Sequence, residues 1–124
     1  MHTIILASPR VDQWGAFSDA LRADLDVDIV QARSAEQAEE AARKLNPLAV
    51  AIDATLGDLP GAELVRRLVG INAMINTALA SEKSEEVFHE ETEGLGILMK
   101  LSSPPTAAEA GCFAALLRQV AGVV

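Results

Sequence analysis

The chain has one cysteine, no tyrosine, one tryptophan and three phenylalanines in 124 residues. A single cysteine excludes an internal disulfide and a cysteine-based zinc cluster. So few aromatics leave no platform on which nucleic-acid bases could stack. Basic residues are scarce too: 10 Lys and Arg stand against 18 Asp and Glu, a net charge of −8. They are also scattered, with Arg43-Lys44 and Arg66-Arg67 as the only adjacent pairs. The clustered cations of a nucleic-acid surface are therefore missing. No apolar run is long enough to span a bilayer. The start is apolar but lacks the basic n-region and long h-region of a secretory signal. These absences predict a cytoplasmic protein with neither nucleic-acid nor membrane partners. His2 and His89 share no ligand spacing with each other or with Cys112, so they do not point to a metal. Gly57, Gly61, Gly94 and Gly96 read as turns, not as a dinucleotide fingerprint or a P-loop.

What the chain has is alternation. Half of its residues are hydrophobic, and they fall into short apolar runs separated by helical stripes. The runs Thr3–Ala7, Val27–Val30, Leu48–Ile52, a strand within Ala73–Ala80, and Leu95–Met99 read as five strands. Between them lie a helix over Val11–Ala23 with Trp14, Phe17 and Leu21 inward, and a second helix with Ala38, Ala41, Ala42 and Leu45 as its stripe. A third runs over Pro60–Val69 and is ended by Gly70, and a fourth over Ser84–Glu93. Thr106 opens a fifth with Cys112, Phe113, Leu116, Leu117 and Val120 inward. Ser34 with Gln37, and Thr106 with Glu109, have the spacing of capping boxes. Strict alternation with right-handed crossovers predicts one α/β domain over 1–124. It would be a flavodoxin-like, doubly wound, five-stranded parallel sheet in the order 2-1-3-4-5. Helices one and five would cover one face and helices two, three and four the other. The chain stops about one helix after the fifth strand, so no output domain is expected.

Ligands of such a sheet gather at the carboxyl ends of its strands. The apolar run Leu48–Ile52 ends there in Asp53, followed by a turn-rich loop through Gly57 and Gly61. The first strand delivers Ser8-Pro9-Arg10 to the same edge, the fourth Ser81, or Thr77 if that strand ends early, and the fifth Lys100. A carboxylate, a hydroxyl and a lysine at one edge form a phosphate-handling set.

In Asp53, Gly61 and Lys100 the chain resembles the receiver domains of two-component response regulators, and the resemblance covers essentially its whole length. It implies that Asp53 stands at the position that accepts a phosphoryl group from a histidine kinase. Ser81 then stands at the phosphate-sensing hydroxyl and Lys100 at the invariant lysine. Receivers also carry two adjacent acids after the first strand, which hold Mg²⁺ with the acceptor. Here those positions read Ser8 and Pro9. The proline that directly follows the family's lysine is Leu101, with Pro104-Pro105 displaced downstream. One carboxylate makes a poor octahedral Mg²⁺ site, and without the metal the transferring phosphoryl charge loses its main neutraliser.

The reading is a degenerate pseudo-receiver: not an enzyme, without cofactor or metal, acting through contact with signalling proteins. The resemblance implies the fourth helix, fifth strand and fifth helix as the contact face, for a partner or for a homodimer. A single-domain response regulator phosphorylated on Asp53 with Mg²⁺, its partner a histidine kinase or output protein, is the second reading. A small nucleotide-binding protein or enzyme of flavodoxin-like shape is the third. Asp53 and Lys100 are expected within reach of each other, because each would disfavour burial alone. The glutamates at 82, 85, 86, 90, 91 and 93 read as a solvated face, or as a docking surface for a basic partner.

Overall fold

Strands as apolar as these need cover on both faces, and a single parallel sheet gives it. The computed structural model describes residues 2–122. Its strands are β1 (His2–Ala7), β2 (Val27–Ala32), β3 (Ala49–Ile52), β4 (Asn76–Ala80) and β5 (Met99–Leu101). Its helices are α1 (Gly15–Asp24), α2 (Ala35–Leu45), α3 (Gly61–Ile71), α4 (Glu85–Glu91) and α5 (Ala107–Ala121). The strand order is 2-1-3-4-5, and every pair is parallel. Alternate residues of β1 point to opposite layers. Ile4 and Leu6 join Trp14, Phe17 and Leu21 of the α1 side and Phe113 and Leu117 of α5. Ile5 and Ala7 join Ala38 of α2, Leu64 and Leu68 of α3, and Phe88 of α4. Helices one and five thus share one face, as the alternation required. Phe17 stacks on Phe113 at 6.4 Å between ring centroids, which ties those two helices together.

Ser34 and Thr106 cap their helices as expected, and Ser84 does the same for α4. Ser34 accepts from the Gln37 N–H, Ser84 from the Val87 N–H, and Thr106 closes a full capping box with Glu109. In α2 the return bond is shifted by one residue: the Gln37 side chain accepts from the N–H of Arg33 rather than Ser34.

Four expectations need correction. The fifth strand is Met99–Leu101, not Leu95–Met99. Gly94 and Gly96 adopt φ of +84° and +69°, left-handed values that break an extended run. Leu95 and Ile97 instead pack from that loop against the α2–α4 layer. Gly70 does not end the third helix, which continues to Ile71 because Ile71 still packs against the core. The first helix opens with a 3-10 turn over Val11–Trp14 before its α-helical part. Finally, Cys112 and Val120 are exposed on α5 and Leu116 is half-buried. The buried phase of that helix is Ala110, Phe113, Ala114 and Leu117. Cys112 lies across the helix from it, and Val120 stands in the last turn, beside residues of the sheet's amino edge.

Candidate functional site

Asp53 is the first residue past β3. Its N–H donates to the Ala7 carbonyl at 2.8 Å, which extends the β1–β3 ladder to the point where the chain turns away. The side chain is fully buried. An ionised carboxylate in such a place needs several partners to offset lost hydration, and Asp53 has them. Its Oδ2 accepts from the Ser8 hydroxyl at 2.6 Å. Its Oδ1 accepts from the Ala54 N–H at 2.8 Å and from the Ser103 hydroxyl at 3.3 Å. The Arg10 guanidinium spans both oxygens through Nη2, at 3.2 and 3.1 Å.

These partners hold one another as well. The same Nη2 donates to the Ser103 Oγ at 2.8 Å, and the Arg10 N–H donates to the Ser8 Oγ at 2.9 Å. Three loops, after β1, β3 and β5, are thereby tied through a single carboxylate. The hydroxyl bond is short, as charge-assisted bonds are. The Arg10 side chain is half-exposed, so one end of the ion pair meets water.

The loop after β3 is shaped by its small residues. Gly57 takes φ +84° at the tip, and the Leu56 N–H closes the turn on the Leu59 carbonyl at 2.9 Å. A Cβ on Gly61 would stand 2.2 Å from the Asp53 carbonyl oxygen and 2.6 Å from the Leu79 side chain. Only glycine lets the start of α3 pack this closely behind the carboxylate. Asp58 anchors the same loop to α2, accepting from the N–H groups of Ala35 at 3.0 Å and Glu36 at 3.1 Å. The Ala35 N–H above all holds the Asp58 carboxyl below the usual aspartate range, against a smaller opposing effect of burial.

The sequence-derived positions separate in three dimensions. Ser8 and Asp53 meet. Pro9 is exposed beside them, its carbonyl facing the Arg33 guanidinium at 3.5 Å. Ser81 follows β4 and lines a hollow of about 450 Å³ with Arg10, Ala54, Glu82, Lys83 and Ser103. Its hydroxyl accepts from the Lys83 N–H at 3.1 Å.

Lys100 is not the partner of Asp53: among the described residues the cation on that carboxylate is Arg10. The cause is the register of β5. Lys100 lies in mid-strand, opposite Leu79. Met99 and Leu101 face the α1–α5 layer, so Lys100 points to the other face rather than to the carboxyl edge. The residue directly before Pro104 is Ser103, and that is the side chain which reaches Asp53. Sequence reasoning assigned no role to Arg10 or Ser103. The signals were Arg10 two residues beyond Ser8 in one loop, and Ser103 preceding a proline as the family's lysine does.

The donor set does not suit Mg²⁺. It offers one carboxylate and two hydroxyls, with a guanidinium already 3.1 Å from the carboxylate oxygen, whereas the ion wants several oxygens in octahedral array. Among the described residues, no three His, Cys, Asp or Glu side chains are grouped to hold a metal ion.

No protein-family profile and no curated protein matches the sequence. Solved structures match in shape. The signal receiver domain of an HD domain-containing protein from Pseudomonas fluorescens superposes with a TM-score of 0.80 at 19% identity, over 98% of this chain and 90% of that one. A two-component response regulator from Clostridium difficile gives 0.80 at 15% identity, over 96% and 98%. The chemotaxis response regulator CheY4 of Vibrio cholerae gives 0.80 at 13% identity, over 94% and 98%. The chain therefore has the fold of response-regulator receiver domains.

Proposed function

We propose that this chain is a degenerate receiver: a non-enzymatic signalling domain that acts through protein–protein contact, without Mg²⁺-dependent phosphorylation of Asp53. The observation that carries this reading is the saturation of Asp53. Its two oxygens take hydrogen bonds from Ser8, Ala54, Ser103 and Arg10. Phosphoryl transfer needs the carboxylate free for in-line attack while a cation offsets charge on the phosphoryl oxygens. Arg10 does neither, because its guanidinium lies on the nucleophile itself. Ser8 and Pro9 take the place of the acidic pair, and Ser103 that of the lysine. The partners would be other signalling proteins, a histidine kinase or an output protein among them, meeting the face formed by α4, β5 and α5. A homodimer would use the same face. Among the described residues no helix is long and apolar enough to cross a membrane, and the acidic balance disfavours nucleic acid; a cytoplasmic setting fits this reading.

The test is incubation of the chain with a small phosphodonor and Mg²⁺, read by intact mass. No phosphoryl adduct is expected. An adduct that Asp53→Asn abolishes would overturn the proposal in favour of a phosphorylated single-domain regulator. Mg²⁺ titration gives a second measurement. Ser8→Asp with Pro9→Asp should raise affinity, and more so once Arg10→Ala clears the guanidinium.

A further inference from the structure

Beside α4 the surface carries a groove of about 420 Å³, with Phe88 and Ile97 in its lining and Gly94 and Gly96 along one wall. Phe88 is 4% exposed, so it forms a floor rather than a knob. Neither glycine has an atom within 4 Å of where a Cβ would stand, so that wall is low and open. Glu90 and Glu93 line the same groove.

The charges around it are only partly compensated. Glu85 faces His89 at 3.4 Å, and Glu91 holds Lys83 at 2.6 Å. Glu86, Glu90 and Glu93 form no ion pair among the described residues. Lys100, on the same sheet face, forms no ion pair with them either. An apolar floor under unpaired carboxylates fits one kind of occupant. We propose that this groove docks a basic amphipathic helix of a partner protein, with one bulky apolar side chain on the Phe88–Ile97 floor and Lys or Arg against Glu90 and Glu93. The mode is a helix laid in a groove, with the charges steering and orienting it. A second copy of this chain fits poorly, because at a net charge of −8 it would bring like charges together. This proposal rests on the contact-signalling reading above and adds the partner's chemistry.

The probe is a synthetic Lys- and Arg-rich helical peptide with one central Leu, titrated into the full chain and followed by amide NMR shifts and calorimetry. Shifts are expected at Phe88, Gly94, Gly96 and Ile97. Glu90→Gln with Glu93→Gln should weaken binding about tenfold at low salt, two rim charges together. Asp26→Asn with Asp28→Asn, the same loss of charge elsewhere, should change it less than about twofold. Replacing the peptide's Leu by Ala should also weaken it. The proposal is overturned by shifts spread over the acidic surface, by equal losses in the two charge pairs, or by no binding. It is equally overturned if the free chain self-associates through these residues. A phosphoryl adduct on Asp53 would sink the contact-signalling reading and leave this titration unaffected, so the two failures are separable.

Discussion

Around Asp53 the carboxyl edge of the sheet is closed by hydrogen bonds; around α4 and the loop that leads into β5 the surface stays open. On the closed side Asp53 is fully buried, and three loops converge on its two oxygens. On the open side α4 buries only Phe88, β5 is three residues long, and the loop between them passes through two left-handed glycines. The difference lies in what each region has to satisfy. A buried carboxylate must recruit donors from every neighbouring loop, and in doing so it cross-links them. Surface glutamates on a short helix stay solvated, and the two that pair, Glu85 with His89 and Glu91 with Lys83, draw no distant loop onto the helix. The same negative charge therefore stiffens the region around Asp53 and leaves the surface around α4 open.

The sharpest way to break this contrast is to remove the cation from the closed side. Arg10→Ala leaves a buried carboxylate with only neutral donors. The expected cost is about 2 kcal/mol in urea unfolding, less than for a fully buried pair because water can follow the half-exposed guanidinium out. No measurable loss would mean that the hydroxyls and the Ala54 N–H suffice, and that the closed side is not electrostatically locked.

Asp58 sets a smaller expectation. Asp58→Asn should cost about 0.5–1 kcal/mol at neutral pH, since the anion caps the first turn of α2. Its carboxyl titrates lower in the folded chain than in the unfolded one. Its contribution is therefore fully present above the unfolded pKa, near 4, and is lost as pH falls through the lower folded value. The gap between wild type and variant should narrow as the pH drops below about 4, measured by urea midpoints across an acid series. A gap that holds or widens on acidification would refute the anionic cap.

The smallest effect is expected on the open side. Val87 is exposed on α4, so Val87→Ser should move global stability by less than about 0.5 kcal/mol. Hydrogen exchange should find the α4 amides opening well before those of β1 and β3. Equal protection in both regions would erase the contrast.

Much of the architecture was legible because period and burial are local signals. Leu48–Ile52 is a strand in any context that covers both faces, and Ser34 and Thr106 cap helices by short-range bonds. The misread elements share a cause. In the stretch Leu95–Leu101 apolar residues run on without a change of period, so nothing local separates a loop that packs inward from a strand. α5 is apolar nearly all round, so its phase is set only by what it meets, and Cys112 fell on the outer side. With β5 read as Leu95–Met99 instead of Met99–Leu101, Lys100 was placed at the edge, where Ser103 is the residue that reaches Asp53.

By itself, then, the sequence determined the alternation, the parallel sheet and the placing of Asp53 at its carboxyl edge, since these follow from periods of two and 3.6 and from a carboxylate ending an apolar run. Tertiary structure alone decided which side chains complete the site. Arg10, Ser8 and Ser103 lie 43, 45 and 50 residues from Asp53 along the chain. Which of the cations and hydroxyls reaches a buried charge depends on loop paths and strand register, and neither leaves a periodic trace in the order of the residues.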